Sequence, residues 1–234
     1  MNGFFVSIGT SFYSCIIEGN SWQVVLKGLG ATVQISLLSL LIGTLLGAII
    51  CSIRNSRVGI LRWIAKIYIA VLRGSPVLLL LMLLFYVVFA RSSLNAAYVA
   101  VVAFSLNISA HIAELMRSAL GAVDKGQVEA ARTLGFGKLS AFRLIALPQA
   151  ISYAKPVYQS NIVNLIQWTS VVGYVTITDL TRVINNIGSR TMQPLFMICI
   201  GIALYLALAY IVYGIFALWD KIRLKKKNTL AASD

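Results

Sequence analysis

The sequence predicts an all-α, polytopic membrane protein with about five transmembrane helices, its N-terminus outside and its C-terminus in the cytoplasm. Three observations predict it. Hydrophobic residues make up 59% of the 234 and charged residues only 12%, with a mean hydropathy of +0.86. Apolar stretches long enough to cross a hydrocarbon core recur along the chain. Lys and Arg crowd alternate connections between those stretches. Soluble domains carry about twice this charged fraction, so a cytosolic enzyme, a secreted binding protein and a disordered regulator are excluded.

Residues 1–27 are expected to form an external or interfacial segment. Its first 17 residues are moderately apolar, and no Lys or Arg precedes Lys27, so the basic start of a cleaved signal peptide is missing. The transmembrane domain follows over 28–219. Its first span, 28–53, carries Gly43, Gly47 and Ala48, and the Gly43-x-x-x-Gly47 spacing lets a second helix approach closely. The next apolar run, Pro76 to Ala90, covers about 22 Å as a helix and is too short alone. The segment before it supplies length: Leu61, Ile64, Ala65, Tyr68, Ile69 and Leu72 recur at helical spacing, with Arg62 and Lys66 between them. Arg73-Gly74-Ser75-Pro76 interrupts the two, which predicts a broken second span. Spans three, four and five are read at 96–119, 152–178 and 194–219. Trp219 is read as an interfacial anchor, and 220–234 is a basic tail whose Lys225, Lys226 and Lys227 can hold anionic headgroups.

The orientation rests on the charges. Arg54, Arg57, Arg62, Lys66 and Arg73 lie between spans one and two, and Arg117, Lys125, Arg132, Lys138, Arg143 and Lys155 between three and four. Both connections belong in the cytoplasm with the tail, which leaves Lys27, Arg91, Arg182 and Arg190 outside. The net charge of +13 is thus a topology signal, and no nucleic-acid partner is called for. Cys15, Cys51 and Cys199 have no metal-ligand spacing and make no disulfide framework.

One connection is long. Over 120–150 the chain forms a cytoplasmic hairpin in which Asp124 and Gln127 read as a reciprocal helix cap, and Val128 to Leu134 as a helix ended by Gly135 and Gly137. Leu139, Phe142 and Ile145 mark a second helix over Lys138–Ala146 that Pro148 stops. Periodicity alone fits either a plain interfacial hairpin or a functional loop.

The particular residues add more. Glu129-Ala130-Ala131, Gly135, Ile145, Leu147 and Pro148 resemble the EAA signature of the membrane subunits of binding-protein-dependent ABC importers. Leu72-Arg73-Gly74-Ser75-Pro76, Glu114-Leu115-Met116-Arg117-Ser118, Lys125-Gly126-Gln127, Thr169-Ser170-Val171-Val172 and Asp179-Leu180-Thr181-Arg182 resemble the histidine/glutamine/arginine type of polar amino acid permease, over roughly 25–218. The chain departs from that pattern at Gln167-Trp168, where Lys-Asp is common, and at His111, where an aromatic residue is more usual. The resemblance implies a multi-pass protein of the bacterial inner membrane. It implies that Glu129, Ala130, Ala131, Gly135, Ile145, Leu147 and Pro148 engage a separate ATPase subunit. Further implied partners are a second permease subunit, identical or related, an external solute-binding protein and an amino-acid substrate.

No Gly-x-x-x-x-Gly-Lys-Ser/Thr phosphate loop occurs, so no cofactor is expected on this chain, and ATP and Mg belong to the partner ATPase. Polar residues inside spans mark a path or hold helices together. Asn107, His111 and Glu114 share one face of the third span, with Arg117 a turn further on. Ser160, Asn164 and Gln167 form a stripe on the fourth, with Asn161 and Trp168 beside it. Either stripe can line a substrate path or tie helices together, and Glu114 can pair with Arg117. An ion-coupled secondary transporter, or half of one, is the alternative, with the broken second span offering helix ends to substrate. No catalytic constellation or metal site stands out, so the chain is not read as an enzyme.

Overall fold

A computed structural model describes residues 9–231. Residues 1–8 of the expected external segment and 232–234 of the tail lie outside the described residues, as do the side chains of Lys225, Lys226 and Lys227. Every regular element among the described residues is helical. The chain divides into two compact units, one built from Met1–Ser36 with Ile166–Asp234 and the other from Leu37–Leu165.

Helix α1 runs over Ser21–Arg54 and starts seven residues before the predicted span. A short π-turn and 3-10 turn precede it, broken where Gly19 takes a φ of 68°. Helix α2 (Gly59–Gly74) and helix α3 (Val77–Leu83, prolonged by a π-turn over Leu84–Val88) are separated at Ser75 and Pro76. Helix α4 spans Ala96–Gly121, with Asn95 accepting the Ala97 N–H as its cap. Helices α5 (Lys125–Thr133) and α6 (Lys138–Ala141) make the hairpin. Helix α7 covers Leu147–Trp168, α8 Leu180–Arg190 and α9 Pro194–Ala231.

Among the described residues, three helical stretches are long and apolar enough to cross a membrane: Gly9–Arg54, Ala96–Gly121 and Pro194–Ile222. The α2–α3 pair makes a fourth if counted as one span, but the two helices bend by 106° at the break. The predicted broken span is therefore turned almost to a right angle, and α2 does not simply lengthen α3. The predicted fourth span, 152–178, also changes. Its α-helix ends at Trp168, and the chain passes into a 3-10 turn over Thr169–Val175 that closes on Thr176 in the left-handed region. What remains in α7 carries the Ser/Asn/Gln stripe and falls outside the apolar group.

In the Leu37–Leu165 unit, α4 is the central helix: Phe104, Ile108 and Ile112 are fully buried. The small-residue spacing on α1 packs against it. A Cβ on Gly43 would run into Ile108 Cγ2, and one on Gly47 would sit 2.9 Å from both Ile112 Cβ and the Ser109 carbonyl. The close approach also lets Ser39 Oγ donate to the Val101 carbonyl at 3.3 Å and Ser105 Oγ to the Ser39 carbonyl at 3.4 Å.

In the other unit, Leu180, Val183, Ile184 and Ile187 of α8 bury one face against Cys15, Val25 of α1 and Met197 of α9. Buried Asp179 caps α8 by accepting the Thr181 and Arg182 N–H groups, and Thr32 Oγ1 accepts the Leu180 N–H at 3.2 Å. Burial pushes the Asp179 carboxyl up, and those backbone donors pull it back. Gly28 permits this contact, since a Cβ there would lie 2.9 Å from Val183 Cγ2 and 3.0 Å from the Asp179 carbonyl.

Candidate functional site

The hairpin is built on a small apolar core of its own. Ala119 and Val123 at the end of α4 pack with Ala146 and Ala150, and Val128 and Ala154 close around them. Asp124 caps α5 by accepting the Gly126 N–H at 2.8 Å. The reciprocal half of the predicted cap does not form: Gln127 Oε1 instead accepts from Gln149 Nε2 at 2.6 Å, tying α5 to α7.

Helix α5 ends in a Schellman turn. The Phe136 N–H reaches back to the Ala131 carbonyl and the Gly135 N–H to the Arg132 carbonyl, both at 3.1 Å. Gly135 holds a φ of 90°, with nothing within 4 Å of where a Cβ would stand. Its role is backbone conformation, not space.

Pro148 does not stop the second helix. A π-turn over Phe142–Ala146 carries α6 straight into α7, and the Leu147 N–H bonds to the Phe142 carbonyl, five residues back. The widened turn lies just where an α-helical proline ring would meet the carbonyl of Leu144, so the strain is absorbed without ending the helix. One continuous rod thus runs from the hairpin tip into α7.

Of the signature residues, Ala131 is buried, Glu129, Ala130 and Gly135 are exposed, and Ile145 and Pro148 are half-buried. Leu147 also reaches the surface. The structure adds exposed apolar residues that the motif does not include. Leu134 is 79% exposed and Leu144 64%, and Phe136, Leu139 and Phe142 are also exposed. Apolar side chains at the tip of a polar hairpin form the kind of patch that marks an interaction surface.

The polar stripe on α4 is engaged within its own unit. Glu114 has both carboxylate oxygens taken: Arg54 Nη1 donates to Oε2 at 2.6 Å, while Arg117 donates to Oε1 from Nη2 at 2.6 Å and from Nε at 3.1 Å. Arg54, at the end of α1, was not anticipated as a partner. Asn107 is buried and donates to the Leu72 carbonyl at 2.8 Å, at the last turn of α2. Its Oδ1 has no hydrogen-bond partner. Between them His111 is half-buried, and Tyr68 OH meets Ser109 Oγ at 2.7 Å.

On α7 the stripe divides. Asn161 is buried and Trp168 half-buried, while Ser160, Asn164 and Gln167 are exposed along one face. Ser160 Oγ donates to the Pro156 carbonyl, which stabilises the proline-containing turn. In the unit that contains Gln167, a cleft of about 310 Å³ is lined by Gln167, Thr181, Asn185, Tyr205 and the apolar flank of α9. Thr181 Oγ1 and Tyr205 OH bond across its wall at 2.9 Å.

Residues 20–222 match the family described as binding-protein-dependent transport system inner membrane component. The chain is 36% identical over 192 residues to a probable amino-acid ABC transporter permease, YckA of Bacillus subtilis, covering 82% of this chain and 85% of that protein. It is 31% identical over 199 residues to the L-cystine transport system permease TcyB of the same organism, with 85% of each covered. Among solved structures, an amino acid ABC transporter crystallised with histidines aligns with a TM-score of 0.77 at 30% identity, over 85% of this chain and 94% of that one. The MetNI methionine transporter, at 19% identity and a TM-score of 0.68, shares the fold over 88% of this chain and 98% of that one.

Proposed function

Because the chain belongs to the family of binding-protein-dependent transport system inner membrane components, we propose that it is the transmembrane subunit of an ATP-driven importer for polar amino acids, worked through its hairpin by a separate ATPase. It is an amino-acid ABC permease component, and family membership favours this over ion-coupled transport. The substrate class rests on relatives named for arginine, and for histidine, lysine, arginine and ornithine.

The observation that carries the coupling role is the hairpin itself. Its tip presents Leu134 and Phe136, with Leu144 exposed further along toward α7, while its base is fixed to α4 by Ala119 and Val123 and is continuous with α7. Force applied at the tip reaches α7 through the continuous helical rod and α4 through the packing of Ala119 and Val123 on Ala146 and Ala150. Glu129 and Ala130 stand outward beside this patch, and the small Ala130 lets another surface come close. ATP and Mg reside on the partner, since this chain has no phosphate loop.

The lysine and arginine distribution supports about five spans, with the hairpin and tail in the cytoplasm and the N-terminus outside, in the bacterial inner membrane. The exposed Ser160, Asn164 and Gln167 support a second permease subunit. Amides facing lipid leave their hydrogen-bonding groups unsatisfied, and a second chain covers them and completes a polar path. Asn107, His111, Glu114, Asn161 and Trp168 are further candidates for that path. Glu114 acts there mainly by fixing Arg54 and Arg117. An external solute-binding protein delivers the amino acid.

Purification in mild detergent together with the neighbouring gene products tests this. A nucleotide-hydrolysing subunit should copurify, and its ATPase rate should rise with amino-acid-loaded binding protein. Uptake driven by an ion gradient with no ATPase present would contradict it.

A further inference from the structure

Helix α2 carries three distinct faces. Ala65, Ile69 and Leu72 are buried. Ile60, Trp63, Ile64, Ile67 and Val71 are exposed, Trp63 by 63%. Arg62, Lys66 and Arg73, at i, i+4 and i+11, fall within about 40° of one another at 3.6 residues per turn and form an exposed cationic stripe along one edge. No acid occurs in the helix.

Among the described residues neither Arg62 nor Lys66 has an ion-pair partner, while Arg73 lies within electrostatic reach of Glu114 on α4. Among the described residues, the ion pairs are those of Glu114 with Arg54 and Arg117, and neither involves α2. Asp124 is committed to the cap of α5.

The placement of α2 is also unusual. A helix of this length is about 24 Å long, yet its polar and core contacts with α4 are confined to a short stretch. Tyr68 bonds at Leu106 and Ser109, the Leu72 carbonyl at Asn107, and Ile69 packs with Ala113 and with Cys51 near the end of α1. Those residues lie along the middle of α4, so it is the Leu72 end of α2 that is anchored there. Beyond that end the chain bends by 106° into α3.

We infer that the first half of α2 lies in the inner-leaflet interface and binds anionic phospholipid, with Arg62 and Lys66 holding the headgroup phosphates and Trp63, Ile64 and Ile67 seated among the acyl chains. An amphipathic helix with a basic edge and a Trp-bearing apolar face has the composition of an interfacial lipid binder. Charge complementarity selects the occupant: uncompensated cations beside a lipid-facing apolar strip match a negatively charged headgroup. The inner-leaflet assignment rests on the orientation proposed above, whereas headgroup selection rests only on the helix.

The test uses the full chain with its copurifying subunits in phosphatidylcholine nanodiscs doped with brominated phosphatidylglycerol or brominated phosphatidylcholine. The Trp63 signal is the fluorescence difference between wild type and Trp63→Phe. The glycerol lipid should quench it preferentially, by about five-fold in relative affinity for each of the two cations. Arg62→Gln/Lys66→Gln should bring the two lipids to parity, and Arg62→Lys/Lys66→Arg should keep the preference. Equal quenching in wild type, a preference that survives the double Gln change, or no quenching by either lipid because protein covers the face would each overturn the inference. Nanodiscs expose both leaflets, so a failure of the orientation or of transport leaves this readout intact. ATP-driven uptake by the same preparation in proteoliposomes reports the transport role separately.

Discussion

Gly135→Val separates the conformation of the hairpin tip from its bulk. Gly135 sits at a φ of 90° with empty space where a side chain would go, so any defect arises from the backbone. Holding an L-residue in the left-handed region costs about 1–2 kcal/mol. Escaping that conformation gives up the Phe136-to-Ala131 and Gly135-to-Arg132 hydrogen bonds, worth about 0.5–1.5 kcal/mol each. The two costs are comparable, so the valine variant is expected to populate displaced tip conformations, while the spans remain folded in the membrane. Displacement of Leu134 and Phe136 should lower ATP-driven uptake in proteoliposomes about ten-fold while basal ATP hydrolysis by the partner persists. Gly135→Asn, which tolerates positive φ, should recover most of the uptake, with Gly135→Ala between. Normal uptake by the valine variant, or equal loss in the Asn and Val variants, would refute the assignment of this turn as a coupling element.

Other perturbations follow from the packing. Gly47→Val should destabilise the protein by about 2–3 kcal/mol, because Ile112 and the Ser109 carbonyl already stand at 2.9 Å from a Cβ. Thermal unfolding in detergent reads this directly. Glu114→Ala strands Arg54 and Arg117 and should cost about 1–3 kcal/mol, and adding Arg54→Met should recover part of that loss in the same melt. Asn107→Leu should cost about 1–2 kcal/mol by leaving the Leu72 carbonyl unpaired. Without a folding defect, accelerated amide exchange in the last turn of α2 is expected in that variant.

Much of the fold is legible in the sequence because hydropathy, proline and glycine act locally. The long apolar helices, the break before Pro76, the tight face at Gly43 and Gly47, and the turn at Gly135 all follow from residues within a few positions of one another. The differences have physical causes. Gln127 was assigned to a local cap, but a partner from α7 competes for its side chain. Pro148 was read as a stop because a local rule ignores the π-turn that relieves it. Arg54 and Glu114 are 60 residues apart, and no local pattern announces their pairing. Val171, Val172 and Val175, read within the span over 152–178, stand in a 3-10 turn beyond the α-helix, a change of helix type that hydropathy does not register. The candidate coupling hairpin is legible as a motif, but its exposed apolar tip emerges only from the structure.

Site-directed cross-linking from the hairpin tip tests the lever most directly. With Cys199, which is exposed, replaced by Ser, Leu134→Cys should cross-link to the ATPase subunit of the intact complex, and bridging the two should arrest uptake until the bond is reduced. Continued amino-acid accumulation from a preparation in which cysteines at 134, 136 and 139 never capture an ATPase would contradict it.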